Sequence, residues 1–130
     1  SSNVNHQQIL DDIARYVSSG KSITIIVSPS EVDARILHKA RLLKANGLIK
    51  DSENVYVQRS NESKYRLVQR IKQTFPSVNI IDMRKVTCQK SVCSLIVNDI
   101  VIYRNVDHLN VYGAREIAKN YLEEFGNPLQ

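Results

Sequence analysis

No apolar run in this chain approaches the roughly 18 residues that a membrane-crossing helix needs. The start of the sequence shows no signal-peptide pattern of basic, apolar and small-residue regions. Glycine is scarce, at four residues, and proline scarcer, at three. Collagen-like, linker-like and low-complexity architectures are thereby excluded, and no internal repeat is present. No Gly-rich phosphate loop follows any strand-like run, and no acidic cluster follows the first one, so nucleotide-binding and receiver-type α/β proteins fit poorly. Tryptophan is absent and aromatics make up 6% of the chain. They do not interleave with the basic residues as a nucleic-acid stacking platform would. With only two cysteines, Cys88 and Cys93, there is no second pair to complete a zinc site, and their spacing is not that of a Cys-x-x-Cys redox motif. Spacing alone leaves them either as one small bridge or as two reduced thiols.

What is present is an ordinary globular composition, 42% hydrophobic, in 130 residues, which bounds the chain at one domain. Apolar periodicity switches along it. Ile9, Leu10, Ile13, Ala14 and Val17 recur at helical spacing behind Asn5, with Gln8 as its capping-box partner and Gly20 as terminator. Ile23 to Val27 is a continuous β-branched run, read as a strand covered on both faces. Ser30 then caps a second helix with Asp33 in the box position. Ile36, Leu37, Ala40, Leu43 and Leu48 form its stripe, and Gly47 closes it. A short strand is expected at Val55 to Gln58. A third helix, opened by Ser60 or Asn61, runs through Leu67, Val68, Ile71 and Phe75 to Pro76. Val78 to Ile81 is the next buried strand. Leu95 to Val97 and Ile100 to Tyr103 flank Asn98-Asp99, a hairpin-turn dipeptide. Asn110 caps a last helix whose inward residues are Ala114, Ile117, Ala118, Tyr121, Leu122 and Phe125.

This alternation predicts an α/β protein: a three-layer α/β/α arrangement around a mainly parallel sheet, with a short hairpin before the last helix. In such sheets ligands gather at the strand ends. Ser28, Pro29 and Ser30 after the first strand, and Asp82 after Ile81, are expected at the same edge as His108. That histidine lies between a strand-like and a helix-like run, where a general base is well placed.

The stretch Tyr103-Arg104-Asn105-Val106-Asp107-His108-Leu109-Asn110-Val111-Tyr112-Gly113-Ala114 resembles the last sequence block of the SGNH hydrolase/acyltransferase superfamily. More narrowly, it is similar to the SGNH domain fused to membrane acyltransferase-3 proteins. Tyr103, His108, Leu109, Asn110, Gly113 and Ala114 match that family's order, and the cysteines 88 and 93 occupy the place of its two close cysteines. The resemblance runs from about Ile23 onward. It implies an SGNH/flavodoxin-like fold and a Cys88–Cys93 disulfide. It also implies transfer of an acetyl or similar acyl group to a carbohydrate hydroxyl at the extracytoplasmic, periplasmic face of a bacterial inner membrane. No cofactor or metal is called for. His108 would be the base, with Asn105 or Asp107 orienting it: one ring nitrogen hydrogen-bonded, the other open to solvent.

Two departures accompany the match. The family nucleophile is a Ser in Gly-Asp-Ser, which this sequence lacks, and the middle-block Gly and Asn of the oxyanion hole have no clear counterpart. The family places an Asp three residues before the His, where this chain has Asn105. The chain therefore resembles the C-terminal half of an SGNH domain. Its implied partners are a membrane-embedded acyltransferase-3 domain, the missing N-terminal part and a carbohydrate acceptor, and an open sheet edge could pair two copies. Ser28 and Ser30 follow a strand but lack the preceding Gly-Asp, and Ser30 reads better as a helix cap. His6 and His38 fall on helix surfaces and read as solvated. A non-catalytic accessory or glycan-binding module is the rival reading. The net charge of +5 is scattered; it suits a neighbour such as anionic lipid or an acidic polysaccharide, and does not indicate nucleic acid.

Overall fold

The fold is that of a computed structural model, which describes residues 5–48, 57–59 and 62–129. In chain order its elements are α1 (His6–Ser18), β1 (Thr24–Val27), α2 (Ala34–Ala45), β2 (Val57–Arg59), α3 (Glu62–Thr74), β3 (Asn79–Asp82), α4 (Arg84–Thr87), β4 (Cys88–Gln89), β5 (Val92–Ser94), β6 (Ile96–Val97), β7 (Ile100–Val101), β8 (Tyr103–Asn105), β9 (His108–Leu109) and α5 (Val111–Phe125). They form two compact units: Ser1–Val27 with Glu62–Ile81, and Ser28–Asn61 with Asp82–Gln130.

The first unit is built on aliphatic periodicity. Asn5 caps α1 by accepting from the backbone N–H groups of Gln7 and Gln8 at 3.0 and 3.3 Å. The capping box is not closed, because the Gln8 side chain donates to Asp12 one turn on, at 2.9 Å. Leu10 and Ile13 of α1 and Val68 and Ile71 of α3 are buried. Leu10, Ile13, Ile71 and Val78 make one core cluster, with Ile23, Ile25, Leu67 and Phe75 against it. β1 pairs with β3, and Asn79 N–H donates to Ile23 C=O at 3.0 Å. β1 is not covered on both faces: Ile26 is 61% exposed. His6 is half-buried, its Nε2 3.3 Å from Ser63 Oγ, rather than solvated. Ser60, Asn61 and Val55, assigned above to a helix cap and a strand, lie outside the described residues.

The second unit contains α2, α4, α5 and the short strands β2 and β4–β9. Its core cluster is Val32, Leu37, Leu95, Val97, Ile102, Tyr103 and Ile117. Asp33, not Ser30, caps α2, accepting from Arg35 N–H at 2.8 Å. Ser30 is buried ahead of the helix, and its carbonyl accepts the Tyr103 hydroxyl at 2.7 Å. Leu48 is exposed rather than part of the α2 stripe. Asn98 and Asp99 form the expected turn between β6 and β7, with φ of +49° and +65°. Positive φ at both central residues is what a tight I′-type hairpin demands, and Asn and Asp tolerate it best after glycine.

Three of the four sheets are antiparallel: β2–β5–β4, β6–β7 and β8–β9. The mainly parallel three-layer sheet is therefore not what the described strands form. The reason is local. β4 to β9 are two or three residues long and meet across two-residue turns, whereas parallel pairing needs a crossover of about a dozen residues or more. What holds is a mixed helix-and-strand domain with a hairpin before the last helix.

α5 begins at Asn110, whose Oδ1 accepts from Gly113 N–H at 2.7 Å while its Nδ2 donates to Val101 C=O at 2.6 Å. The buried stripe is Gly113, Ile117 and Tyr121, at i, i+4 and i+8. Ala118, Leu122 and Phe125 face outward, one position round from where the apolar pattern placed them. Gly113 fixes that rotation. A Cβ there would overlap the main chain and Cβ of Ile102, so this face of the helix must lie against the Ile102 backbone between β7 and β8.

Candidate functional site

The block that carries His108 is a hairpin rather than a loop. β8 and β9 pair antiparallel, with Tyr103 opposite Leu109 and Asn105 opposite His108. Val106 and Asp107 make the turn. Asn105 Oδ1 accepts from Asp107 N–H at 3.2 Å, the local side-chain turn that Asn favours. The same oxygen lies 3.0 Å from His108 Nδ1. Asp107 Oδ1 lies 2.7 Å from that nitrogen as well. Both orienting candidates therefore meet one ring nitrogen. An adjacent residue on an extended strand would point away; the two-residue turn swings Asp107 back.

In the neutral ring, two oxygen acceptors at Nδ1 favour the tautomer with its proton there, which leaves the lone pair on Nε2. Among the described residues Nε2 has no hydrogen-bond partner. The His108 side chain is 58% exposed and that of Asp107 47%. Solvent screens a contact of that exposure, so its value lies in orientation more than in stability.

The rest of the unit holds the hairpin in place. Val32 N–H donates to Val106 C=O at 2.8 Å, tying the segment before α2 to the turn. Arg41 of α2 donates through Nη2 to Tyr103 C=O at 3.1 Å and to Arg104 C=O. Tyr103 is buried, and burial pushes its phenol up to about 12. It remains a neutral donor to Ser30 C=O throughout the physiological range. Arg41, Val32 and Tyr103 Oη were not legible as supports. An exposed helical Arg reads as a solvated charge until the strand beside it is known.

The other sequence candidates go elsewhere. Cys88 and Cys93 form a disulfide that joins directly opposed residues of β4 and β5. Asp82, the last residue of β3, is buried. Its carboxylate takes a bidentate pair from Arg84, 2.9 Å from Nε and 2.7 Å from Nη2, and both side chains are buried. His38 is exposed on α2. Among the described residues, no group of three or more His, Cys, Asp or Glu side chains could hold a metal ion.

A protein-family model described as an SGNH domain fused to AT3 domains matches residues 2–123. The chain belongs to that family. Neither the curated proteins nor the solved structures gave a match. Among the described residues no helix is long and apolar enough to cross a membrane.

Proposed function

We propose that this chain is the histidine-bearing part of an SGNH-type acyltransferase domain, moving an acetyl or similar acyl group to a cell-surface carbohydrate hydroxyl. The observation that carries the reading is the His108 ring, anchored at Nδ1 by Asn105 and Asp107 with Nε2 outward. In this reading a Ser hydroxyl outside the chain attacks the acyl carbon, and His108 Nε2 takes its proton. The imidazolium returns that proton to the departing alkoxide, leaving an acyl-enzyme. Nε2 then deprotonates the sugar hydroxyl as it attacks the acyl group and restores the Ser. Asn105 supplies orientation without charge, and Asp107 supplies the negative charge that an Asn lacks. The missing half would provide Gly-Asp-Ser and complete a three-layer parallel sheet. The acyltransferase-3 domain would sit in the inner membrane with this domain on its periplasmic side.

The test uses the full-length parent on an acetyl ester. His108→Ala is expected to lower turnover by about 10³- to 10⁴-fold. Asp107→Asn is expected to cost more than Asn105→Ala. An active parent indifferent to His108→Ala sinks the catalytic reading. The absence of Gly-Asp-Ser favours one rival, a non-catalytic accessory module that holds a glycan. An inactive parent that still binds an acceptor oligosaccharide through this domain would select it.

A further inference from the structure

We propose that the outward face of α2 docks on the surface of an anionic lipid bilayer. A charged helix face is ordinarily only a solvated one, but α2 departs from that pattern in two ways. It carries Arg35, His38, Lys39, Arg41 and Lys44 and no acidic residue between Ala34 and Ala45. A merely solvated helix mixes both signs, since opposite charges at i, i+4 support it. The second departure is apolar. Leu42 is 49% exposed, one turn beyond His38 and Lys39 and two beyond Arg35, and Leu48 just past the helix is 63% exposed. These spacings put Leu42 within the cationic face.

Not all the cations are available to a partner. Lys44 pairs with Asp99 at 2.8 Å, and Arg41 is turned to the carbonyls of β8. Arg35 is shared with Asp33, 3.4 Å away at the helix start, and Glu31 precedes it. Lys39 remains outward, with the His38 ring exposed beside it, and Arg104 adds a second cation near Arg41 at a groove of about 470 Å³. Cations flanking an exposed leucine fit a lipid headgroup layer, where phosphates meet the charges and Leu42 reaches the acyl boundary. A purely polyanionic partner such as an acidic polysaccharide would use the charges and leave the leucines in water. The family's fusion to membrane domains makes a bilayer a near neighbour. Because Arg41 also grips β8, docking through α2 would hold the His108 hairpin close to the headgroups.

This inference does not depend on acyl transfer, and its test reads binding alone. The whole chain is co-sedimented with vesicles of phosphatidylcholine, and with vesicles of phosphatidylcholine and phosphatidylglycerol in equal parts. Binding is expected to the anionic vesicles only, and to fall as salt screens it. Lys39→Gln should weaken it about fivefold, the worth of one cation near such a surface. Leu42→Ser should weaken it about tenfold. Lys119→Gln, the same charge change on the exposed side of α5, should leave it unchanged. Circular dichroism verifies that each variant is folded. Equal binding to neutral vesicles, no binding to anionic ones, or an equal effect of Lys119→Gln would overturn the proposal. Retention on alginate without vesicle binding would overturn it in favour of a polysaccharide partner.

Discussion

The unit of residues 1–27 and 62–81 and the unit of residues 28–61 and 82–130 solve the burial problem in different ways. The first is closed by aliphatic side chains on two helices and a pair of strands. The second buries Ser30, Asp82, Arg84 and Thr87 among its apolar residues and ties its hairpins together with side-chain-to-carbonyl bonds from Arg41, Tyr103 and Asn110. Strands of two or three residues offer little apolar area, so specific polar bonds must set their register. The unit that depends on such bonds is the one that carries the His108 hairpin.

Substitutions that separate the two kinds of core test this contrast. Arg84→Ala should have the largest effect, about 3–5 kcal/mol, because it removes the bidentate guanidinium from the buried Asp82 carboxylate. Replacing both partners with Leu and Met of similar volume should restore most of that loss, as read by urea denaturation. A mild effect of Arg84→Ala would mean that the second unit does not rest on its buried polar groups. In the first unit, Ile71→Ala should cost about 3 kcal/mol and Ile71→Val about 1, a graded response of cavity size alone.

A smaller effect is expected from reducing Cys88–Cys93. The closed loop is short, so the loss should be about 2 kcal/mol. Thiol titration of the unfolded, unreduced protein should find no free thiol.

The pH effects are smaller still and oppose each other in sign. The folded Tyr103 phenol titrates near 12, above its ordinary value near 10. Its contribution is complete below pH 10 and is lost as pH rises towards 12. Absorbance at alkaline pH should show this tyrosine ionising last, and Tyr103→Phe should abolish that late step. On the acid side, the Arg35 backbone N–H holds the Asp33 carboxyl below the usual carboxylate range, and hydrogen bonding from Gln8 does the same for Asp12. Their contributions are present above about pH 4 and are lost as pH falls through the folded values. Thermal midpoints should therefore drop below pH 4, and less steeply in Asp33→Asn.

The same contrast governs what could be read from the residues. α1 and α3 were legible because their periodicity is long and their cores are aliphatic. The start of α5 was legible from Asn110, and the β6–β7 turn from Asn98-Asp99, because those residue types carry their own conformational preference. The rotation of α5 was not, since Gly113 leaves no mark in a hydrophobic pattern. The cap of α2 slipped from Asp33 to Ser30 because Ser30 serves a tertiary bond to Tyr103 that local sequence does not encode. α4, β4–β5 and β8–β9 span too few residues for any period to show. At the candidate site, the residue types came from the family block. Their convergence on Nδ1 comes from the two-residue turn at Val106-Asp107, which spacing alone does not encode.

Where α5 crosses Ile102 at Gly113, the obstacle to a larger residue includes main chain. Repacking a neighbouring side chain cannot make room for main chain. A compensating second substitution, the usual route by which cores drift, is closed at this one position. Residue 113 is therefore a better marker than any of the apolar positions for aligning distant members of the family. A sequence that aligns a bulky residue there has either shifted the helix along its axis or been placed in the wrong register.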